Sequence, residues 1–88
     1  MKSLNTMNCL VMVDPKRLPE DHHVFVAGDD TDAKATVEGL LREIWAQGYI
    51  IDLGGLRAAR ETEMYLPLWL SLMQALSTGD FNIKVVKA

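Results

Sequence analysis

Apolar positions along the chain fall into short runs separated by polar, proline-bearing or glycine-bearing breaks. Met7 and Cys9–Val13 form the first run, closed by Asp14-Pro15, where the proline disfavours helical backbone at Asp14. We read Thr6–Val13 as a short helix, with a buried strand as the alternative, followed by a polar loop over Asp14–His22. His23-Val24-Phe25-Val26-Ala27, ending at Gly28, has the β-rich apolar character of a strand buried on both faces. Asp29, Asp30 and Asp32 then supply a helix cap and negative charge for the positive end of a helix dipole. Val37, Leu40, Leu41, Ile44 and Trp45 recur at three- and four-residue spacing, the stripe of a helix packed on one side, and Gly48 is its expected stop. Tyr49–Leu53, closed by Gly54-Gly55, is the next strand. Strand, helix and strand joined by short loops predict a βαβ crossover and a parallel pair.

A second helical segment spans Leu56–Ser77, with Leu66, Trp69, Leu70, Met73 and Leu76 forming its apolar stripe. Pro67 lies inside it and removes a backbone donor, so a kink or a restart is expected there. Arg57 with Glu61 and Arg60 with Glu63 have the spacing of helical ion pairs, the mark of a solvated face. Thr78-Gly79-Asp80 reads as a turn, and Phe81–Lys87 as a terminal strand whose lysines suit a sheet edge.

Composition narrows the function classes. The 88 residues are 49% hydrophobic and 24% charged, so one globular domain over residues 1–88 is expected and disorder is not. Nine basic against twelve acidic side chains give a net charge of −3, which offers no basic field for nucleic acid. The single cysteine, Cys9, cannot form an internal disulfide and reads as a buried structural thiol. Neither a signal peptide nor a bilayer-length apolar stretch stands out, so a cytoplasmic protein with no membrane partner is expected.

Several segments carry a family resemblance. Lys2-Ser3-Leu4-Asn5-Thr6-Met7-Asn8, then Val24–Asp30 with Asp32-Ala33-Lys34-Ala35, then Ile51-Asp52-Leu53-Gly54, Ala59-Arg60, Glu63-Met64, Leu66-Pro67-Leu68-Trp69 and Phe81–Lys87 occur in an order that resembles predicted dinucleotide-binding reductases. These are relatives of the NADP-dependent oxidoreductase that uses a deazaflavin coenzyme. The resemblance covers nearly the whole chain but only the C-terminal half of such a protein. None of the six glycines has GxGxxG spacing, so the phosphate loop that holds a pyrophosphate on a helix N-terminus is not in this sequence. The resemblance implies an α/β fold: a partial Rossmann-like parallel sheet with a βαβ crossover, a kinked C-terminal helical segment and a terminal edge strand. A compact α+β domain with the terminal strand antiparallel is the alternative.

The resemblance also places Lys2, Asn5 and Thr6 at the end of a Rossmann strand, beside the nicotinamide. Asn5 and Thr6 are therefore the candidate cofactor-binding residues, against the simpler reading that Asn5 caps the short helix. His22 and His23 adjoin Glu20 and Asp21, but neighbours on an extended chain face opposite ways, so no metal site is expected. Nor is a catalytic set, because in hydride transfer the cofactor carries the chemistry. Trp45, Trp69, Met64 and Met73 read as core or interface. Two functions follow: part of the nicotinamide and substrate crevice of an NADP-type oxidoreductase, without a complete active site, or a non-enzymatic oligomerisation or interaction module derived from that fold. No cofactor is expected to bind the isolated chain. A homodimer, and a partner half carrying the phosphate loop, are the expected partners.

Overall fold

The computed structural model describes residues 2–45 and 49–88; the expected helix stop at Gly48 lies outside them. Three strands form one sheet in the order β1-β2-β3: β1 at Lys2–Ser3, β2 at Val24–Ala27 and β3 at Ile50–Asp52. β2 and β3 are parallel, with Val24 opposite Ile50 and Val26 opposite Asp52, and helix α2 (Thr31–Leu41) connects them. The expected βαβ unit is present. The sheet as a whole is mixed rather than parallel, because β1 runs antiparallel to β2, with Lys2 opposite Ala27 and Ser3 opposite Val26.

Side-chain alternation along β2 organises the molecule. Val24 and Val26 are fully buried on one face, where they meet Met7, Val11 of helix α1 (Cys9–Val13), Leu41 and Trp45. Trp45 donates its indole N–H to the Met12 carbonyl at 3.4 Å and meets the edge of the His22 ring at 4.9 Å. Phe25 faces the other side, where Ala59 and Thr62 of helix α3 (Arg57–Glu63) are buried. Asp30 caps α2 by accepting the Asp32 and Ala33 amides at 3.0 and 3.1 Å, as its short acceptor side chain predicts. The buried stripe that follows is narrower than the spacing suggested: Leu41 and Trp45 enter the core, while Leu40 and Ile44 stay exposed.

Three other expectations are corrected, and the expected restart near Pro67 is found. Helix α1 begins at Cys9, not Thr6, because Asn8 rather than Asn5 caps it, accepting the Leu10 amide at 2.8 Å. Cys9 occupies the first turn and is exposed, since Val11 is the residue of α1 that points to the core. The Leu56–Ser77 segment is two helices, α3 and α4 (Leu66–Leu76), joined at Met64 and Tyr65, with Pro67 in the first turn of α4. A proline there has no ladder bond to lose, so the restart costs little. Phe81–Lys87 forms no strand. The edge of β2 that it approaches is already used, since the Ser3 hydroxyl donates to the Phe25 carbonyl at 2.7 Å; only the His23 amide, donating to the Ile83 carbonyl at 3.1 Å, bonds it in ladder fashion.

Candidate functional site

Leu4 is the pivot of the site. It sits just after β1 with φ of 64°, a left-handed backbone that a bulky side chain enters only at a cost. Its side chain packs against the core, and this anchorage holds the turn. The turn sets Asn5 exposed and Thr6 buried at the carboxyl end of β1, between the sheet and the α3–α4 joint. Asn5 donates its amide to the Thr62 hydroxyl at 3.2 Å, and Thr62 in turn donates to the Ala59 carbonyl at 2.7 Å.

Two cavities flank this turn and share Tyr65 as a wall. One, about 170 Å³, is lined by Asn5, Met7, Asn8, Tyr65, Leu66 and Trp69. The other, about 200 Å³, is lined by Thr6, Phe25, Leu53, Glu61, Thr62, Tyr65 and Ile83. Buried polar atoms normally have a hydrogen-bond partner. Among the described residues four buried side-chain polar atoms have none, and the Thr6 hydroxyl, the Tyr65 hydroxyl and the Trp69 indole N–H are three of them. All three belong to side chains that line these two cavities. Burial pushes the Tyr65 phenol above its ordinary value, so it is a neutral donor and acceptor at physiological pH. The arrangement suits a flat, partly polar group held by hydroxyls, an indole and an amide.

The candidate pair Asn5 and Thr6 is thus brought together, with Thr62, Tyr65 and Trp69 added to it. The sequence reading missed these last three. Trp69 had been assigned to an apolar stripe; it is half-buried and stacks on Phe81 with ring centres 5.2 Å apart. Met64, assigned to the same set, is 76% exposed and packs in no core.

A second polar region lies at the carboxyl ends of β2 and β3. The Gly28 amide donates to the Gly54 carbonyl at 2.9 Å, and the Asp29 carboxylate accepts the Leu56 amide at 2.8 Å. A Cβ at Gly55 would stand 2.6 Å from that carboxylate oxygen, so glycine permits this close approach. The Gly54 amide, and after it the Lys34 ammonium, hold the Asp52 carboxyl below its ordinary value, against the opposing effect of burial. Asp29, Leu56, Arg57 and Arg60 line a third cavity of about 410 Å³. The expected Arg57–Glu61 and Arg60–Glu63 ion pairs do not form; Glu63 pairs with Lys2 of β1 at 3.3 Å, and both guanidiniums are left without a carboxylate partner among the described residues. Among those residues no group of three or more His, Cys, Asp and Glu side chains could hold a metal ion, and no helix is long and apolar enough to cross a membrane.

The fold has a counterpart in a solved structure. A crystal structure from Arthrobacter sp. FB24, of a protein provisionally described as an F420-dependent NADP reductase, superposes with a TM-score of 0.91 at 48% sequence identity. The match covers 98% of this chain and 39% of that one. The fold is that of part of a Rossmann-like reductase. The chain spans about two fifths of that reductase's length, in keeping with the expected C-terminal half. No protein-family model matches the chain, and no curated protein does. The reductase-like chain therefore holds the Asn5–Thr6 turn and both of its cavities within a stretch that aligns almost end to end with its relative.

Proposed function

We propose that this chain forms one wall of the nicotinamide and substrate crevice of an NADP-type, deazaflavin-linked oxidoreductase, with Asn5 and Thr6 as its cofactor contacts. The observation that carries the reading is the near-complete match to a reductase at 48% identity. Sheet order adds a physical reason. β1 pairs with β2 on one side only, and β2 separates it from β3. A mononucleotide-binding half adding strands parallel to β1 at its outer edge would put Asn5 and Thr6 at the carboxyl end of those strands, where open α/β sheets bind ligands. The unpartnered atoms of Thr6, Tyr65 and Trp69 would then gain partners. Arg57 and Arg60, without a carboxylate partner among the described residues, line a separate cavity toward the other end of the sheet and are suited to an anionic group. The chemistry of hydride transfer belongs to the cofactors; these residues orient them and exclude water.

The phosphate loop must come from the other half, so the 88-residue chain alone should bind neither NADP nor NAD. Titration calorimetry with both dinucleotides tests this, and micromolar binding by the chain alone would overturn it. Joined to a phosphate-loop half, the chain should bind NADP, and Asn5→Ala together with Thr6→Val should weaken binding at least tenfold.

A second copy of this chain is the further partner we propose, because Leu66, Leu68, Leu70 and Leu76 of α4 are each 46–57% exposed. No residue of α4 is buried within the protomer. Pairing about a two-fold axis would cover the side of α4 that carries Leu66 and Leu70. The same face also serves the interaction-module reading, in which self-association is the whole function; dinucleotide binding by the joined protein separates the two.

A further inference from the structure

We propose that the consecutive histidines His22 and His23 form a protonation-sensitive latch that holds the C-terminal segment 81–87 against the start of β2. Four hydrogen bonds make the latch. The Asn82 side-chain amide donates to His22 Nδ1 at 2.7 Å and to the His23 carbonyl at 2.8 Å; the Val85 amide donates to His23 Nδ1 at 2.9 Å; the His23 amide donates to the Ile83 carbonyl at 3.1 Å. An amide nitrogen can only donate, so both Nδ1 atoms must be unprotonated acceptors. The His22 tautomer is also fixed from the other side, because its Nε2–H donates to the Pro15 carbonyl at 2.7 Å. His22 is buried and His23 half-buried.

An imidazolium carries hydrogen on both nitrogens and accepts nothing. Protonation of either ring therefore sets N–H against N–H at the Asn82 or the Val85 contact. Rotation of the Asn82 amide does not restore the set: its oxygen would accept from Nδ1–H of His22 but would also face the His23 carbonyl, and the bond to that carbonyl would be lost. Of the nearby carboxylates, Asp80 is held by Arg17 at 2.7 Å and Glu20 by Lys84 at 3.5 Å, while Asp21 and Lys16, of opposite charge, line the same cavity as His22. Protonation of either imidazole therefore opens the latch.

The segment it holds borders both candidate cavities. Ile83 is a wall of the Thr6 cavity, and Phe81 stacks on Trp69, a wall of the Asn5 cavity. That consequence rests on the crevice reading; the latch itself does not.

Amide hydrogen exchange of the full chain, read by NMR as protection factors at pH 7.5 and 5.5, tests the latch without any dinucleotide. The protection of the Val85 amide should fall at least tenfold at the lower pH while that of Val24 and Val26 holds. Asn82→Ala should abolish Val85 protection at both pH values. In His23→Asn the side-chain oxygen can accept near the Nδ1 position at every pH, so the drop should shrink at least threefold. If that variant does not fold, the native imidazole ¹⁵N signals decide: both Nδ1 nuclei must be unprotonated at pH 7.5 and gain protons over the interval in which Val85 loses protection. Val85 protection that is unchanged, or lost where neither Nδ1 gains a proton, overturns the proposal.

Discussion

The two faces of the sheet differ in how completely the chain finishes them. On the α1–α2 face, Val11, Val24, Val26 and Trp45 are almost wholly shielded from water, and the Trp45 indole N–H has its partner. On the α3–α4 face, the leucines of α4 stand exposed, while the Thr6 hydroxyl, the Tyr65 hydroxyl and the Trp69 indole are buried without partners. Exposed apolar side chains occur on both faces, Leu10, Val13, Leu40 and Ile44 on the α1–α2 side, but three of the four polar atoms buried without partners among the described residues fall on the α3–α4 side. A face that serves only stability would pair its buried polar atoms. A face that waits for a ligand and a second polypeptide would show what is seen here.

Deletions on the two faces should separate them most strongly. Trp45→Ala should lose about 3–5 kcal/mol, the range for removing a large buried aromatic, whereas Leu70→Ala in the monomer should stay within about 0.5 kcal/mol, as exposed positions do. Denaturant unfolding of both variants checks this; equal losses would erase the distinction. Self-association comes next. Sedimentation equilibrium at micromolar concentration should show a dimer, reduced to a 9.8 kDa monomer by Leu66→Glu with Leu70→Glu. A native monomer would mean that the α4 face needs no cover.

Smaller effects sharpen the contrast. Thr6→Val removes a buried hydroxyl that has no partner, so it should stabilise the free chain by about 1 kcal/mol while weakening the ligand. A clear loss of stability would show that the hydroxyl has a structural role. Ser77 ends α4 in the left-handed region at φ of 58°, where glycine is unstrained, so Ser77→Gly should raise stability by about 1 kcal/mol or less. The smallest effect is a pH dependence. Asp52 and Asp80 have folded-state values held below their ordinary one, the first by the Gly54 amide and then Lys34, the second by Arg17. Their contribution is present above the ordinary carboxylate value of 3.8 and is lost as pH falls through the lowered folded values. Asp52→Asn with Asp80→Asn should flatten the decline in stability below pH 4, as thermal melts at successive pH values would show.

The βαβ core was legible because local signals agreed: the β-rich run at Val24–Ala27, the Asp30 cap and the Gly54-Gly55 stop all point one way. Failures came where a distant partner decided. Phe81–Lys87 has strand composition, but the Ser3 hydroxyl and the His23 ring take the places a ladder would need. Asn5 and Asn8 are both sound caps by residue type; the left-handed turn at Leu4, set by core packing, delays the helix until Asn8 can serve. Trp69 reads as apolar stripe and Tyr65 carries no signal, because no local pattern reveals that a polar tip is buried without a partner. The histidine pair looked like a loop junction, which it is, but its bonds to Asn82 and Val85 span about sixty residues.

The central claim is that the Asn5–Thr6 face is the functional one, and chemical-shift mapping tests it most directly. NADP added to the ¹⁵N-labelled chain joined to a phosphate-loop half should shift the amides of Asn5, Thr6, Thr62 and Tyr65 and the Trp69 indole, leaving Val11, Val24 and Trp45 unmoved. Shifts centred on the Trp45–His22 side, or binding that moves none of the Asn5–Thr6 group, would contradict it.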